Sequence, residues 1–211
     1  MEAFEGKEAL SARAATYEFL SGLYLTEVTA EFIEQLRADD SFKEGPLGEY
    51  AASLEGVEAE QARQDAAADF AALFLGMSAL PVAPYESVYT SELQLLMQEA
   101  RDEVLAIYRS MGLDKQSTWK EGEDHVAVEL EFMQILSSRT VDALRSGKDD
   151  DAFDLLMTQK NLPGRPPGRL DAHDDGGSEA LRQDRPVQRP GVSDRRLPGH
   201  GLRIPARRLD S

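Results

Sequence analysis

Along the first 160 residues apolar side chains return every three or four positions, and period-2 alternation of any length is missing. A period of 3.6 gathers such groups on one face of a helix, whereas a half-buried strand needs a period of two. The expected fold class is therefore all-α, a single-domain helical bundle over residues 1–160. Leu10, Ala14, Tyr17, Ser21 and Tyr24 form one stripe, and Phe32, Ile33 and Leu36 mark a second, shorter helix. "EGPLGEY" reads as the loop after it. An Ala-rich helix from about Glu58 to Leu75 turns Ala66, Phe70, Leu73 and Phe74 inward, and Gly76 stands where a helix end needs a left-handed residue. The spacing of Leu93, Leu96, Met97, Ala100, Val104, Tyr108 and Met111 predicts one long helix closed by Gly112. Asp124 is placed to cap the next helix, whose core face is Val126, Ala127, Leu130 and Met133, and a last helix covers Asp151 to Met157.

The chain changes character near residue 161. Its last 51 residues hold 7 of the 10 prolines and no Lys, Phe, Tyr or Trp, so they cannot build a core. Residues 1–160 carry 13 Lys+Arg against 32 Asp+Glu, a net −19, while residues 161–211 carry 10 Arg against 7 Asp+Glu, a net +3. Two readings of this segment stand: a disordered tail, and GC-rich DNA translated out of frame. Dropping the first base of each codon from Leu162 onward permits "FLxxHLxxW", with Phe or Tyr permitted later at Val187; an early stop in that frame would end the idea. If the natural end is helical, C-terminal helices are missing from this chain and the face they leave bare favours aggregation.

Composition excludes much of the catalytic repertoire. With no Cys there is no disulfide, thiolate zinc site, iron-sulfur ligation or cysteine nucleophile. The body has one His, too few for a zinc-hydrolase helix or a di-iron bundle, so no metal and no cofactor are expected. No Walker-type phosphate loop is present, and "GMSAL" lacks the nucleophile-elbow pattern. No apolar run reaches the ~18–20 residues of a membrane span, and the N-terminus has no basic start followed by an apolar block, so a cytoplasmic protein is expected. An acidic body repels phosphate backbones and anionic lipid heads, which disfavours nucleic acid and membrane surfaces and favours a basic peptide.

Two stretches carry the candidate chemistry. "EGEDHVAVELEFM", residues 121–133, sets Glu121, Glu123 and Asp124 before a helix start, where their charge is expected to raise the pKa of His125. Glu129, one turn on, lies on the same side as His125. In "LPVAPYESVY", residues 80–89, Pro81 and Pro84 stiffen the turn that presents Tyr85, Glu86, Ser87 and Tyr89. Each stretch also admits a plain reading, as caps and core edge. An acidic cluster beside aromatic groups suits a peptide with basic and apolar parts. A small enzyme with His125 as general base, oriented by Asp124 or Glu129, and an acidic scaffold for folded partners remain as alternatives.

"DFAALFLG", "LPVAPYESVY", "YRSMGL" and "EGEDHVAVELEFM", in this order and at these distances, resemble the TorD/DmsD/NarJ family of redox-enzyme maturation chaperones over residues 10–160. The resemblance implies a cytoplasmic, non-enzymatic all-α chaperone, monomer or homodimer. Its implied partner is the twin-arginine signal peptide of a molybdenum-cofactor oxidoreductase precursor, held while cofactor is inserted and before export. The family's acidic-proline-x-Asp-His stretch, implicated in peptide binding, carries over to Glu121, Asp124 and His125, with Gly122 where the family has proline. Its Pro-Tyr-Glu-Ser turn matches Pro84, Tyr85, Glu86 and Ser87 without departure. The expected signal-peptide site is Phe74, Tyr85, Glu86, Ser87, Tyr89, Glu121, Glu123, Asp124 and His125. The family also continues with a "FLxxHLxxW" helix, the pattern the shifted frame permits.

Overall fold

A computed structural model describes residues 2–90, 95–96, 99–116, 119–162 and 202–203. The described chain runs α1 (Glu2–Leu25), α2 (Ala30–Ala38), a 3-10 turn (Asp40–Phe42), α3 (Gly45–Ser53), α4 (Ala59–Phe74), α5 (Glu86–Thr90), α6 (Glu99–Ser110), β1 (Asp114–Lys115), α7 (Val126–Arg145), α8 (Asp149–Lys160) and β2 (Leu202–Arg203). The fold is all-α: the two strands are a two-residue antiparallel ladder, Asp114 opposite Arg203 and Lys115 opposite Leu202. Apart from Asn161, Leu162 and β2, the expectations for the C-terminal segment lie outside the described residues. Among the described residues no helix is long and apolar enough to cross a membrane.

The chain forms two compact units. One is Leu23–Pro84; the other joins residues 1–22 to the chain from Tyr85 onward. In the Leu23–Pro84 unit, Thr29 caps α2 through its side chain, which accepts from the Phe32 amide at 3.1 Å. Ile33, Leu54 and Ala62 make a small core, and Arg37 donates to the Leu54 and Val57 carbonyls at 2.7 Å each, tying α2 to the turn after α3. The "EGPLGEY" segment is helix α3, not a loop: its proline falls at the first helical positions, where no amide donor is required. Gly48 is obligatory, since a Cβ there would meet the Lys43 carbonyl oxygen at 2.3 Å. In α4 the fully buried residue is Ala62, and Leu73, expected inside, is 46% exposed; Phe74 packs edge-on against Tyr24 and Phe70. Gly76 closes α4 at φ +73°.

The other unit is built on α7, the most buried helix. Tyr17, Val104, Tyr108, Leu113, Val128, Phe132, Met133, Leu136 and Leu162 form its core, with the Tyr108 and Phe132 rings 4.6 Å apart. The core face of α7 is thus wider than expected: Val128, Phe132 and Leu136 are fully buried while Val126 and Leu130 are half-buried. A polar network crosses the same interior. Gln159 of α8 accepts from Arg13 of α1 (2.5 Å) and Ser137 of α7 (3.1 Å), and donates to Thr140 of α7 (3.0 Å). Ser21 donates to the Ala127 carbonyl at 2.7 Å, fixing α1 to the start of α7. The single long helix expected from Leu93 to Met111 is not continuous. Its regular part begins at Glu99, Leu96 is half exposed outside any helix, and Leu93 and Met97 lie outside the described residues. Gly112 ends α6 at φ +71°, as the sequence predicts.

Candidate functional site: the seam between Tyr85 and His125

The two informative stretches meet. Tyr85 and His125 form an isolated antiparallel bridge, and the Glu86 amide donates to the Asp124 carbonyl at 3.0 Å. Asp124 then closes the start of α5 from 37 positions away: its Oδ2 accepts from the Ser87 amide at 3.1 Å and from Ser87 Oγ at 2.5 Å. Asp124 is therefore not the cap of α7. That role belongs to His125, whose Nδ1 accepts from the Ala127 amide at 3.1 Å. An acceptor nitrogen carries no proton, so the capping imidazole is neutral with its hydrogen on Nε2. Burial lowers the His125 pKa, and the charges of Glu121 and Asp124 oppose this without overcoming it. The expected upward shift is corrected on that point, because His125 is buried, at 5% exposure.

Aromatic groups frame the histidine. The Tyr85 ring meets it edge-on at 5.1 Å and Trp119 does so at 5.7 Å. The reading of the residues missed Trp119, although it is the chain's one tryptophan and stands two residues before the acidic turn. Tyr85 donates its hydroxyl to Glu121, and its own pKa is raised by burial and then by that bond.

The acidic residues divide into three kinds. Glu121 is exposed, and Lys115 donates to its backbone carbonyl at 2.7 Å. Glu123 is buried and compensated: Arg101 Nε lies 2.5 Å and Lys115 Nζ 3.3 Å from its carboxylate. Burial would raise its pKa, but the Arg101 bond and both cations bring it below the usual range. Tyr108 donates to the Glu123 carbonyl at 3.2 Å, which fastens this turn to the core. Glu86 and Glu129 are the third kind, two half-buried carboxyls that hydrogen-bond to each other. Burial and then the Glu86 charge push Glu129 up to about 9, so it holds the proton and Glu86 accepts. One oxygen of each, Glu86 Oε2 and Glu129 Oε1, is buried without a partner among the described residues.

Of the residues expected at the site, the structure therefore brings together Tyr85, Glu86, Ser87, Glu121, Glu123, Asp124 and His125. Tyr89 is on α5 and 63% exposed. Phe74 belongs to the other unit, in its cluster with Tyr24 and Phe70. Ser87 is fully buried and its hydroxyl is consumed by Asp124. A shallow hollow opens beside the seam, lined by Tyr85, Leu96, Lys120, Glu121, Gly122 and Asp124. Among the described residues no group of three or more His, Asp and Glu could hold a metal ion.

Comparison with known proteins identifies the family. The profile of the nitrate reductase delta subunit family matches residues 36–163, which takes in α3 to α8 and the whole seam. A chaperone protein TorD of Photobacterium profundum is 32% identical over 133 residues, 57% of this chain and 62% of the relative. Another, from Shewanella sp. (strain ANA-3), is 30% identical over 145 residues, 63% of this chain and 69% of the relative. A third, from Shewanella oneidensis, is 27% identical over 161 residues, 70% of this chain and 74% of the relative. The chain thus spans about two thirds of the length of these relatives, and less than that of the first. No solved structure matches it at a significant level. The family profile covers more than half of the sequence, and the chain belongs to the nitrate reductase delta subunit family, among the TorD-like redox-enzyme maturation chaperones.

Proposed function

We propose that this protein is a chaperone for the maturation of a molybdenum-cofactor oxidoreductase, and that it holds the precursor by its twin-arginine signal peptide at the Tyr85–His125 seam. The observation that carries the reading is the pairing of an exposed acid with an aromatic wall: Glu121 accepts from Tyr85, whose ring stands edge-on to His125, and Trp119 meets the same imidazole. A leader of that class has a basic start and an apolar core. The net −19 of residues 1–160 attracts the first over long range, and apolar burial supplies most of the affinity for the second. Within this reading Tyr85, Tyr89 and Glu121 touch the peptide, Asp124 and His125 shape the wall, and Ser87 and Glu123 hold the frame. Family membership and the TorD relatives support the chaperone role; cofactor insertion and restraint of export before assembly extend it. General-base chemistry at His125 is disfavoured by the use of its Nδ1 as a helix cap.

Titration of a twin-arginine leader peptide into the full chain tests this. Affinity falls as salt rises, and Tyr85→Ala and Glu121→Gln each weaken binding about tenfold, the size of one lost anchor. Leader binding that ignores both substitutions removes the site assignment. Capture of the mature enzyme without its leader, with no binding of the leader itself, replaces the proposal with the scaffold reading.

A further inference from the structure

The C-terminal strand returns to the neighbourhood of the seam. β2 pairs antiparallel with β1, Asp114 opposite Arg203 and Lys115 opposite Leu202, and also lies against α7. Lys115 belongs to the acidic turn as well: its Nζ donates to the Glu121 carbonyl at 2.7 Å and stands 3.3 Å from the Glu123 carboxylate. The ladder is therefore one lysine side chain away from Glu121. Because the strands are antiparallel, the residues before Leu202 leave the ladder at the end where the chain after Lys115 runs on to the acidic turn. Arg196 is as many positions before Leu202 as Glu121 is after Lys115, and Arg195 precedes it. Arg195-Arg196 and Arg207-Arg208 are the chain's two adjacent arginine pairs, and β2 lies between them in the sequence. Residues 191–211 hold 5 Arg against 2 Asp, while residues 1–160 carry a net −19, so the segment and the body attract.

We propose that the C-terminal segment docks on the β1 edge as a built-in basic peptide that shields the acidic turn, and that a bound precursor displaces it. The second half rests on the reading of the chain as a leader-binding chaperone; the first does not. A strand edge offers unpaired amides and carbonyls to any extended segment, so backbone pairing at β1 makes little demand on the sequence that lands there. Two residue pairs are too few to hold a free peptide. Charge attraction adds to them, and residues 163–201 tether β2 to the body, which keeps it at an effective concentration on the order of 1 mM. Occupancy of about nine in ten at that concentration lowers the apparent affinity for a competing basic peptide about tenfold. A leader that adds apolar burial to its charge still displaces the segment, whereas a peptide offering charge alone is held off.

Paramagnetic broadening in the full chain tests the docking. The sequence has no Cys, so Ser193→Cys takes a nitroxide at one site, two positions before Arg195. The label is expected to erase the Lys115 and Glu121 amide signals at low salt. Raised salt restores them, and so does Leu202→Pro combined with Arg203→Pro, which removes both amide donors of β2. Signals of full intensity in the labelled chain at low salt overturn the docking. Isothermal titration tests the displacement: the double-proline variant binds a twin-arginine leader peptide about tenfold more tightly than the wild type. Equal affinities overturn the shielding and leave leader binding standing. Should neither chain bind the leader, the chaperone reading fails, and the broadening alone decides whether the segment docks.

Discussion

Asp124 and Ser87, 37 positions apart, are joined twice, through the Ser87 amide at 3.1 Å and its hydroxyl at 2.5 Å, both donating to one carboxylate oxygen. A five-residue helix such as α5 does not hold itself in water, so this long-range cap is what keeps its first turn closed. Asp124→Ala is expected to lose ~2 kcal/mol of stability, because two buried donors are left without an acceptor. Asp124→Asn keeps an acceptor oxygen and loses less than half of that. Urea midpoints measured on the two variants check the ordering, and equal losses would refute the capping role.

The His125 cap makes stability pH-dependent in a known direction. Burial lowers its pKa in the folded state, so the unfolded chain binds the proton more readily. The contribution is complete above the unfolded value of about 6.5 and is lost as pH falls through it toward the folded value. His125→Asn retains a capping acceptor and is expected to flatten the stability profile between pH 7 and 5, whereas His125→Ala loses ~1 kcal/mol at pH 7. Thermal midpoints across that range separate the three proteins. A wild-type profile unchanged by either substitution would show that the imidazole is not the titrating cap.

The Glu86–Glu129 pair acts with the opposite sign. Its proton is held in the fold to about pH 9, while an unfolded glutamate releases it near 4.3. The pair therefore weakens the fold progressively as pH rises from about 4.3 toward 9. Glu129→Gln removes the charge that has to be suppressed and is expected to gain on the order of 1–3 kcal/mol at pH 8, with almost no gain at pH 4.5. The groups facing the pair are Asp124, Glu103, Tyr108 and, beyond them, Glu123, so no described cation offsets it directly. A gain independent of pH would locate the effect elsewhere.

Gln159 joins three helices through one amide. Gln159→Ala leaves Thr140 and Ser137 to satisfy themselves within α7 and removes the acceptor that Arg13 has on α8, and a loss of ~1–3 kcal/mol is expected in chemical denaturation. Gln159→Glu keeps the acceptor for Arg13 and loses the donor to Thr140, so its loss is smaller below pH 5, where the acid is protonated and can donate.

The two readings of the C-terminal segment separate on the DNA. Read one base later from the Leu162 codon, the out-of-frame reading requires a frame that stays open past the Val187 codon and spells the permitted helical pattern. A stop before it leaves only the tail. On α8, Phe153 is 60% and Met157 37% exposed.

Helices were legible because apolar spacing over ten or more residues is set by burial, and Gly76 and Gly112 were legible because a positive φ nearly demands glycine. The failures have one physical source. Whether Asp124 or His125 caps α7 depends on Ser87, a partner that only the fold supplies, and the sign of the His125 shift depends on burial that no local charge count contains. The start of α6 at Glu99 hid behind apolar spacing that begins at Leu93, and α3 behind a proline that a first helical turn accepts. Arg101, which neutralises Glu123 from 22 positions away, left no trace in the sequence. The acidic turn and the Pro-Tyr-Glu-Ser turn were both visible, but not that they share a bridge.

Adjacent residues, Asp124 and His125, close two different helices. A backbone displacement at this junction therefore disturbs the starts of both α5 and α7. On the proposed function, a precursor arriving there meets a wall already set. Little ordering is left to be done on contact, and more of the interaction is kept as grip.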